Sequence, residues 1–587
     1  MNLSQNSTIS KIMIKATQDN FNFYLLSGFL IFLFGLAPLY FQPNMGGRGL
    51  ALTFNITTWA VATALICYAT LLVTVRKTIR LPRHSLYFAA APIVIILNNV
   101  VTGSSQPAVF IFRELFILGG LFFFLALFQF KPRQDQVEWI LLTIALSTII
   151  HAAIGILQIF NPEVLGNWYA TSGDQVPRGV FQQVNVQVSF LATGIAISMY
   201  LLSRPIAKRF NYVVSSLVIL SIGISSFVII YSGSRVGLLS LVVSLLLLLL
   251  FRHKQLLHNK VLVLCAIVAI SSGTFLGKEG LEISLAKTAD ITQGINIAQG
   301  VSRDARINMY RIAFEIVAQK PIQGHGIGNF LRVWNLQASD YFSRHPDVVL
   351  PPYVDHPHNE LVYWLIEGGL VIVAGILAAI IAVVSGLYRC GPRRAAGYIA
   401  MLLPVTLHTQ VELPFYISSV HWFLWLLLIF VVMRHSAYSK NLVLSVAANR
   451  LIQFTSIIVL VTSMYFLHHT KRAQADLIDF VTQRAIDSRY LQIALQNSYH
   501  KQLAQELAMR ALLYKGITTD NPAYVTEYVE WSVKQIARQP KLIFFKDLVR
   551  ASIYLDNHEL KCRVVQSGLE MYAHSKGLRD LNQSCIN

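Results

Sequence analysis

Thirteen apolar segments of 16 to 27 residues constrain this chain more than any other feature of its sequence. A helix needs roughly 20 mostly apolar residues to cross about 30 Å of hydrocarbon, so each segment can form a membrane span. They occupy residues 22–41, 56–75, 84–101, 108–130, 138–160, 184–202, 212–231, 236–251, 261–277, 360–386, 396–411, 417–433 and 451–468. The sequence therefore predicts an all-α, polytopic membrane helix bundle of about 13 spans.

The distribution of charge predicts how this bundle is oriented. With the N-terminus in the cytoplasm, 20 of the 48 Lys and Arg residues lie on that side, whereas the short loops of the other side hold only Arg48, Arg178 and Arg235. This asymmetry is typical of multi-pass proteins of the bacterial inner membrane. It also explains the net charge of +19 without a nucleic-acid partner. We expect the first segment to remain as a signal anchor.

An odd number of spans places two long polar pieces in the periplasm. We expect an N-terminal transmembrane bundle of about nine spans (1–278), a large periplasmic loop (279–358), a C-terminal bundle of about four spans (359–469) and an α-helical tail (470–587). Loops this long in compact proteins are usually functional. The compartment is oxidising, so Cys562 and Cys585 of the tail either form a disulfide or remain two thiols.

The most informative polar stretch is D-H-P-H-N-E-L-V-Y-W-L-I-E-G-G at 355–369, where the large loop enters the tenth span. Asn359 is suited to cap the helix that begins after it. A neutral histidine such as His356 or His358 can accept a proton from a hydroxyl near neutral pH. Two alternatives remain open: a capping turn with interfacial histidines, and a metal site that adds Asp355 and Glu360 as ligands.

Two further stretches fall at the same predicted face. R-G-V-F-Q-Q-V-N (178–185) offers Arg178 for a phosphate and the amides of Gln183 and Asn185 for sugar hydroxyls or a lipid headgroup. Y-S-G-S-R (231–235) places Arg235 in a tight turn between two apolar spans, against the charge bias. The alternative for Arg235 is that it extends to the lipid headgroups.

A basic helix is predicted within the large loop at S-R-D-A-R-I-N-M-Y-R-I-A-F-E (302–315). Arg303, Arg306 and Tyr310 fall near one face, with Arg311 close by. The whole loop is not basic, so this concentration of arginines favours a specific anion. A solvated charged face is the alternative.

The turn H-T-Q-V-E-L-P-F-Y (408–416) adds His408, Glu412 and Tyr416 between the eleventh and twelfth spans. Arg113 and Glu114 lie near the same face in the fourth span, and we interpret them as a structural pair. Together the stretches suggest displacement at a lipid-linked phosphate or sugar, in which arginines hold a diphosphate leaving group and a histidine removes a hydroxyl proton.

At these residues the sequence resembles the bacterial O-oligosaccharyltransferases that glycosylate pilins, within the O-antigen ligase and polymerase superfamily. The resemblance runs in order from about 150 to 433. It rests on G-V-F-Q-Q-V-N (179–185), S-G-S-R (232–235), S-R-D-A-R-I-N-M-Y (302–310), P-I-Q-G-H-G-I-G-N-F (321–330), P-H-N-E-L (357–361) and V-E-L-P (411–414). One departure is Val184, where relatives often have Pro.

The resemblance implies a GT-C-like enzyme that transfers a preassembled glycan from undecaprenyl diphosphate to Ser or Thr of a periplasmic, pilin-like protein, without a metal or other cofactor. His358 would be the catalytic residue. The resemblance also maps Arg235, Arg306, Gln183 and Tyr416 onto family motifs, and the residues interpreted above complete a diphosphate-binding group and a substrate-binding group. The first comprises Arg178, Arg235, Arg303, Arg306 and Arg311, and the second comprises Gln183, Asn185, His356, Asn359, Glu412 and Tyr416.

Three other functions remain open. Within the superfamily, the acceptor could be the core of lipid A, or the enzyme could polymerise O-antigen repeats. From another class, a transporter of lipid-linked sugars would show charges along a central path and internal repeats. Here the polar groups gather at one predicted face and no repeat is visible. The long tail favours a protein acceptor, which benefits from an added docking surface.

Overall fold

The computed structural model describes residues 20–166, 169, 175–283, 285, 303–346, 354–483, 488–573 and 575–586. The longer helices are α1 (Asn20–Leu39), α2 (Thr53–Arg76), α3 (Ser85–Thr102), α4 (Pro107–Gln129), α5 (Gln134–Phe160), α6 (Val184–Leu202), α7 (Tyr212–Tyr231), α8 (Arg235–Leu256), α9 (Lys260–Leu276), α10 (Arg303–Gln319), α11 (Phe330–Arg344), α12 (Glu360–Cys390), α13 (Pro392–His408), α14 (Ser419–Met433), α15 (Val446–Thr482), α16 (Lys501–Thr518), α17 (Pro522–Arg538), α18 (Leu542–Tyr554), α19 (His558–Met571) and α20 (Lys576–Ile586).

The predicted all-α polytopic membrane bundle is confirmed. Each of the thirteen predicted spans coincides with a helix, namely α1–α9 and α12–α15. Among the described residues, eleven helical stretches are apolar and at least 18 residues long when α8 and α9 are counted as one run. Helix α13, with 17 residues, is just shorter than these. Strands β1 (Thr78–Leu81) and β2 (Tyr438–Asn441) form a single antiparallel pair.

The chain divides into two compact units. Unit 1 comprises Met1–Phe88, Leu118–Leu285 and Ile380–His468, and unit 2 comprises Ala89–Ile117, Ala286–Ala379 and His469–Asn587. Unit 1 therefore holds most of the apolar helices. Unit 2 combines the large loop with the tail and with the adjoining parts of α3, α4 and α12.

In unit 1, helices α7 and α9 pack side by side through small residues. A Cβ on Gly273 would lie 2.7 Å from the carbonyl oxygen of Gly223, and a Cβ on Gly277 would lie 3.0 Å from that of Phe227. Small residues allow such close backbone approach between membrane helices. The later residue of α7 (Phe227) contacts the later residue near α9 (Gly277), so the two helices run parallel. The turn at Leu257–Asn259 therefore separates α8 and α9 into two spans.

Basic residues that the charge pattern predicts to be cytoplasmic lie at one end of unit 1. We call this end, defined by Arg204, Arg252 and Arg434, the basic end. Arg204 Nε donates to Glu138 Oε1 at 2.7 Å. Arg252 is buried, and its Nε donates to Ser203 Oγ at 2.7 Å. Strands β1 and β2 join the segments that follow α2 and α14. The loops predicted to share the cytoplasmic face are thus neighbours.

In unit 2, the tail helices α16–α20 follow one another through short connections and pack consecutively. A buried carboxylate, Asp547 Oδ2, accepts from Arg510 Nε at 2.7 Å and joins α16 to α18. The tail also packs on the large loop, because Asn335 Nδ2 of α11 donates to the hydroxyl of Tyr572 at 2.8 Å. Loop and tail therefore form one compact body.

The two tail cysteines are bonded to each other. Cys562 Sγ and Cys585 Sγ lie 2.05 Å apart and link α19 to α20. The remaining cysteines, Cys67, Cys265 and Cys390, are free thiols in unit 1.

We predict that Gly273→Val lowers the thermal stability of the purified protein, because its Cβ would force α9 away from the backbone of α7. Overpacking of this kind costs typically 1–3 kcal/mol. The matched control is Gly28→Ala, since a Cβ at Gly28 meets no atom within 4 Å. Melting curves in detergent should separate the two variants, and equal melting temperatures would contradict the close contact.

We predict that the tail loses stability in mild acid through His500. This side chain is 3% exposed, and its burial lowers its pKa to about 4, whereas an unfolded histidine titrates near about 6.5. The unfolded chain therefore binds a proton that the folded chain excludes. The stabilisation is complete above about pH 6.5 and falls by about 3 kcal/mol as the pH drops to about 4.

The measurement compares melting temperatures of wild type and His500→Gln from pH 7 to pH 4. The difference between the two should shift in favour of the variant as the pH falls. His258→Gln, at an exposed position, should follow wild type throughout. A wild-type-to-His500→Gln difference that is independent of pH would contradict this account.

Candidate functional site

The H-P-H-N turn lies in unit 2, immediately before α12. His358 adopts a left-handed backbone conformation with φ 51°, and its N–H donates to His356 Nδ1 at 3.2 Å. The two rings pack edge to face with centroids 4.3 Å apart. Because His356 Nδ1 accepts this bond, its proton lies on Nε2, which faces Asp355 Oδ1 at 3.6 Å. The turn thus fixes the histidines relative to each other.

Asn359 caps α12, as the sequence predicts. Its Oδ1 accepts from the N–H of Val362 at 3.1 Å, which satisfies one of the amides that a helix N-terminus leaves without a partner. In the next turn, Trp364 Nε1 donates to Glu360 Oε1 at 3.0 Å. The first turn of α12, which directly follows His358 in the sequence, is therefore stabilised by side-chain hydrogen bonds.

Helix α12 is broken within its apolar stretch. Gly369 has φ 63° and ψ −167°, which separates a short half-helix (360–368) from a longer one (370–390). A Cβ at Gly369 would lie 2.2 Å from the carbonyl oxygen of Ile322. Only glycine accommodates both the positive φ and this close approach.

The segment 321–329, which we call the glycine loop, fills this break. Its amides at His325 and Gly326 donate to the carbonyls of Ile366 and Glu367 at 3.0 and 2.8 Å. In return, the carbonyls of residues 321 and 322 accept from the N–H groups of residues 370 and 371 at 2.9 and 3.1 Å. Backbone groups must be paired in an apolar surround, so the glycine loop restores the bonds that the broken helix has lost.

Two neighbouring segments hold the glycine loop from its other side. Asn98 Nδ2 of α3 donates to the carbonyl of Gln323 at 3.0 Å, and Ser104 Oγ donates to that of Ile327 at 2.6 Å. His325 Nε2 donates to the carbonyl of Ile316 at 2.9 Å, and burial lowers the pKa of this histidine. The glycine loop is thus hydrogen-bonded to α3, to the segment that follows α3 and to α10.

A buried ion pair crosses the same region and corrects the sequence interpretation. Arg113 was expected to pair with its neighbour Glu114, but its guanidinium instead pairs with Glu367 of α12, which is fully buried. Adjacent residues of a helix point in different directions. Within the described part of the chain, both carboxylate oxygens of Glu114 are buried without a hydrogen-bond partner. The expected Arg113–Glu114 pair is therefore wrong.

In unit 1, the stretches 178–185 and 232–235 meet at the start of α6. Gln183 Oε1 caps α6 by accepting from the N–H of Val186 at 2.7 Å, and Ser234 Oγ donates to Asn185 Oδ1 at 2.8 Å. Arg235 directly follows Ser234 and begins α8, where it is half-buried. Arg178, also half-buried, precedes the turn Gly179–Phe181.

The turn at 408–416 joins the same end of unit 1. His408 is fully buried, and its Nδ1 lies 2.9 Å from Ser189 Oγ in the first turns of α6. Glu412 and Tyr416 follow it and are half-buried, and the N–H of Glu412 donates to the carbonyl of His408 at 3.0 Å. The structure therefore brings together three of the stretches that the sequence singled out, and we call this part of unit 1 the polar end.

The basic helix predicted in the large loop corresponds to α10. The side chains of Arg303 and Arg306 lie outside the described part of the chain, although their backbone is helical. Arg311 is exposed, while Met309 and Ile312 on the opposite side are buried. The helix is thus amphipathic, and the role of its arginines remains a prediction.

Sequence reasoning missed several residues of these sites. Glu367 and two buried histidines, His151 and His421, were not singled out, and the glycine loop was noted only as part of a family motif, without a structural role. His421 Nε2 donates to the carbonyl of Val186 at 3.0 Å, which places it against the start of α6. An acidic residue inside an apolar run is a signal that could have found Glu367, because such residues are costly and usually functional in membranes.

Two models of known families match the chain. The model described as O-antigen ligase matches residues 219–377. The model described as the C-terminal part of a virulence-factor membrane-bound polymerase matches residues 398–576. The two ranges together cover more than half of the chain. The chain thus contains a domain of each family, which is consistent with the O-antigen ligase and polymerase superfamily.

Superfamily members are membrane enzymes that transfer glycans from lipid-linked donors, so the chain has this general role. The ligase match contains Arg235, the α10 arginines and the H-P-H-N turn, and the polymerase match contains Glu412, Tyr416 and most of the tail. Arg178, Gln183 and Asn185 lie outside both matched ranges. No curated protein matches the chain significantly.

Proposed function

We propose that this protein transfers a preassembled oligosaccharide en bloc from undecaprenyl diphosphate to Ser or Thr hydroxyls of periplasmic proteins such as pilin. The observation that carries the proposal is the H-P-H-N turn. It lies within the ligase match, and the structure holds it against the capped start of α12. A general base acts only when it is held in the correct orientation towards the proton that it removes.

In this proposal, a ring nitrogen of His358 accepts the proton of the acceptor hydroxyl. The acceptor oxygen forms a bond with the anomeric carbon of the donor sugar, while the bond from that carbon to the diphosphate oxygen breaks. Undecaprenyl diphosphate then leaves with the electron pair of that bond. General-base assistance of this type contributes typically 10²–10⁴-fold to a rate.

Arginines neutralise the charge that develops on the leaving diphosphate. We assign this role to Arg178 and Arg235 in unit 1 and to the three arginines of α10 in unit 2, Arg303, Arg306 and Arg311. Guanidinium groups suit the task because they donate paired hydrogen bonds to phosphate oxygens. The half-buried positions of Arg178 and Arg235 support this, since partial desolvation strengthens an ionic contact.

Further polar side chains of each unit are proposed to bind the glycan and the acceptor. Asn185 and Gln183 present amides at the polar end, and Gln183 retains its NH₂ group as a donor because only its oxygen caps α6. Glu412 and Tyr416 lie in the neighbouring turn. In unit 2, His356 and Asn359 support His358 and can also bind a hydroxyl.

A protein acceptor is favoured over a lipid acceptor by the tail. Its helices form a body with the large loop that contains the H-P-H-N turn, which is the arrangement expected if an acceptor docks beside the base. O-antigen ligation to the core of lipid A and polymerisation of O-antigen repeats are the competing reactions. A lipopolysaccharide gel beside the mass of pilin distinguishes transfer to a protein from these two reactions.

We predict that His358→Ala abolishes glycan transfer to pilin, because the proposed base is removed. Cells that co-express the protein, a glycan locus and pilin should yield pilin with a glycan-sized mass increase for wild type and none for the variant. The matched control is His345→Ala, another histidine of the large loop, which packs on Tyr341 outside the H-P-H-N turn. Membrane levels of all variants should be equal.

Wild-type modification by the His358→Ala variant would remove this residue from the mechanism. A lipopolysaccharide ladder that depends on His358 beside unmodified pilin would instead assign the enzyme to lipid ligation or polymerisation.

We predict that Arg235→Ala weakens use of the lipid-linked donor. A hydrogen bond to a charged group is worth roughly 1.5–3 kcal/mol, so the donor KM should rise about tenfold or more. The matched control, Arg209→Ala, removes an exposed arginine from the opposite end of unit 1 and should leave the donor KM unchanged. An unchanged donor dependence in Arg235→Ala would exclude Arg235 from diphosphate binding.

A further inference from the structure

The position of His358 depends on how firmly its half-helix is held. Residues 360–368 form little more than two helical turns before the chain breaks at Gly369. A helix this short is not stable by itself. Its orientation must therefore come from contacts with other parts of unit 2.

The strongest of these contacts is the buried pair of Arg113 and Glu367. Glu367 is 0% exposed and Arg113 is 10% exposed on their side chains. One oxygen of Glu367 pairs with the guanidinium, and the other, Oε1, accepts from the N–H of Gly328 at 2.9 Å. A single carboxylate thus connects α4, α12 and the glycine loop.

Arg113 also contacts the half-helix one turn closer to His358. Its guanidinium lies 4.6 Å from the ring centroid of Tyr363 and 5.2 Å from that of Trp364. Trp364 in turn donates to Glu360, which directly follows the cap residue Asn359. Arg113 therefore contacts the half-helix between residues 363 and 367, and Trp364 continues this chain of contacts to Glu360 at the start of α12.

We infer that Arg113 and Glu367 are positioning residues for His358. The ion pair sets the angle of the half-helix against α4 and the glycine loop, and so sets where the H-P-H-N turn lies. The pair is too deeply buried to bind a substrate from solution, and removing the guanidinium of Arg113 would take away the positive charge that compensates the buried carboxylate of Glu367. This inference rests on the proposed role of His358 as base.

The first test is Glu367→Gln, measured as transfer per folded molecule. We expect kcat to fall at least tenfold with the donor KM within about twofold of wild type, because the base is displaced while donor contacts are kept. The matched control is Glu138→Gln, which breaks the pair with Arg204 at the basic end of unit 1 and should change melting temperature without changing kcat. Equal kcat values for wild type and Glu367→Gln would overturn the inference.

The second test separates positioning from stability. Arg113→Met/Glu367→Gln removes both charges of the pair together, so the melting temperature should return towards that of wild type while kcat stays at least tenfold low. Recovery of kcat together with the melting temperature would show that the pair is only structural. If Glu367→Gln does not fold, Glu367→Asp keeps the charge on a shorter side chain and should show the same split between kcat and KM.

The third test does not depend on the reaction. Hydrogen–deuterium exchange of residues 354–362 should accelerate in Glu367→Gln and stay at the wild-type rate in Glu138→Gln. Faster exchange in a protein that proves to have another activity would leave the positioning role intact and overturn only the proposed function. Unchanged exchange with unchanged kcat would overturn the positioning role itself.

Discussion

The pairing of backbone groups at the break in α12 is the constraint on which the candidate site depends. A helix that stops inside an apolar segment exposes amides and carbonyls that cannot remain unpaired there. The glycine loop supplies the missing partners through four backbone hydrogen bonds. Its glycines are required because a Cβ on Gly324 would lie 2.6 Å from the backbone of Glu367. This closely fitted junction is what allows a short, firmly oriented half-helix to present the H-P-H-N turn.

The polar end of unit 1 is stabilised by helix capping, and not by pairing across a broken helix. There the starts of α6, α8 and α14 are each capped by a side chain, from Gln183, Ser234 and Ser418 respectively. Capping satisfies the terminal amides and leaves the positive ends of the helix dipoles at that end. An anion is stabilised in such surroundings, which agrees with the role proposed for Arg178 and Arg235. The unit therefore combines an apolar body with a polar, electropositive end.

The spans were predicted well because the length and hydropathy of a sequence segment are enough to identify a membrane helix. Asn359 as a cap and the separate stretches of the polar end were also predictable, since capping and charge bias act locally. The partner of Arg113 was not predictable, because Glu367 is 254 residues away in the sequence and only the packing of α4 against α12 brings the two side chains together. His151 and His421 were missed for a similar reason. Each lies within an apolar run, and its contacts become visible only in the packed structure.

The central claim is that a lipid diphosphate donor gives its whole glycan to a protein hydroxyl. The most direct measurement uses the purified protein with a defined undecaprenyl-diphosphate oligosaccharide and purified pilin, followed by intact and site-resolved mass spectrometry. The account predicts one intact glycan on a Ser or Thr side chain and one undecaprenyl diphosphate released for each transfer. Unmodified pilin, together with donor glycans that grow by joining repeat units, would contradict it and identify a polymerase.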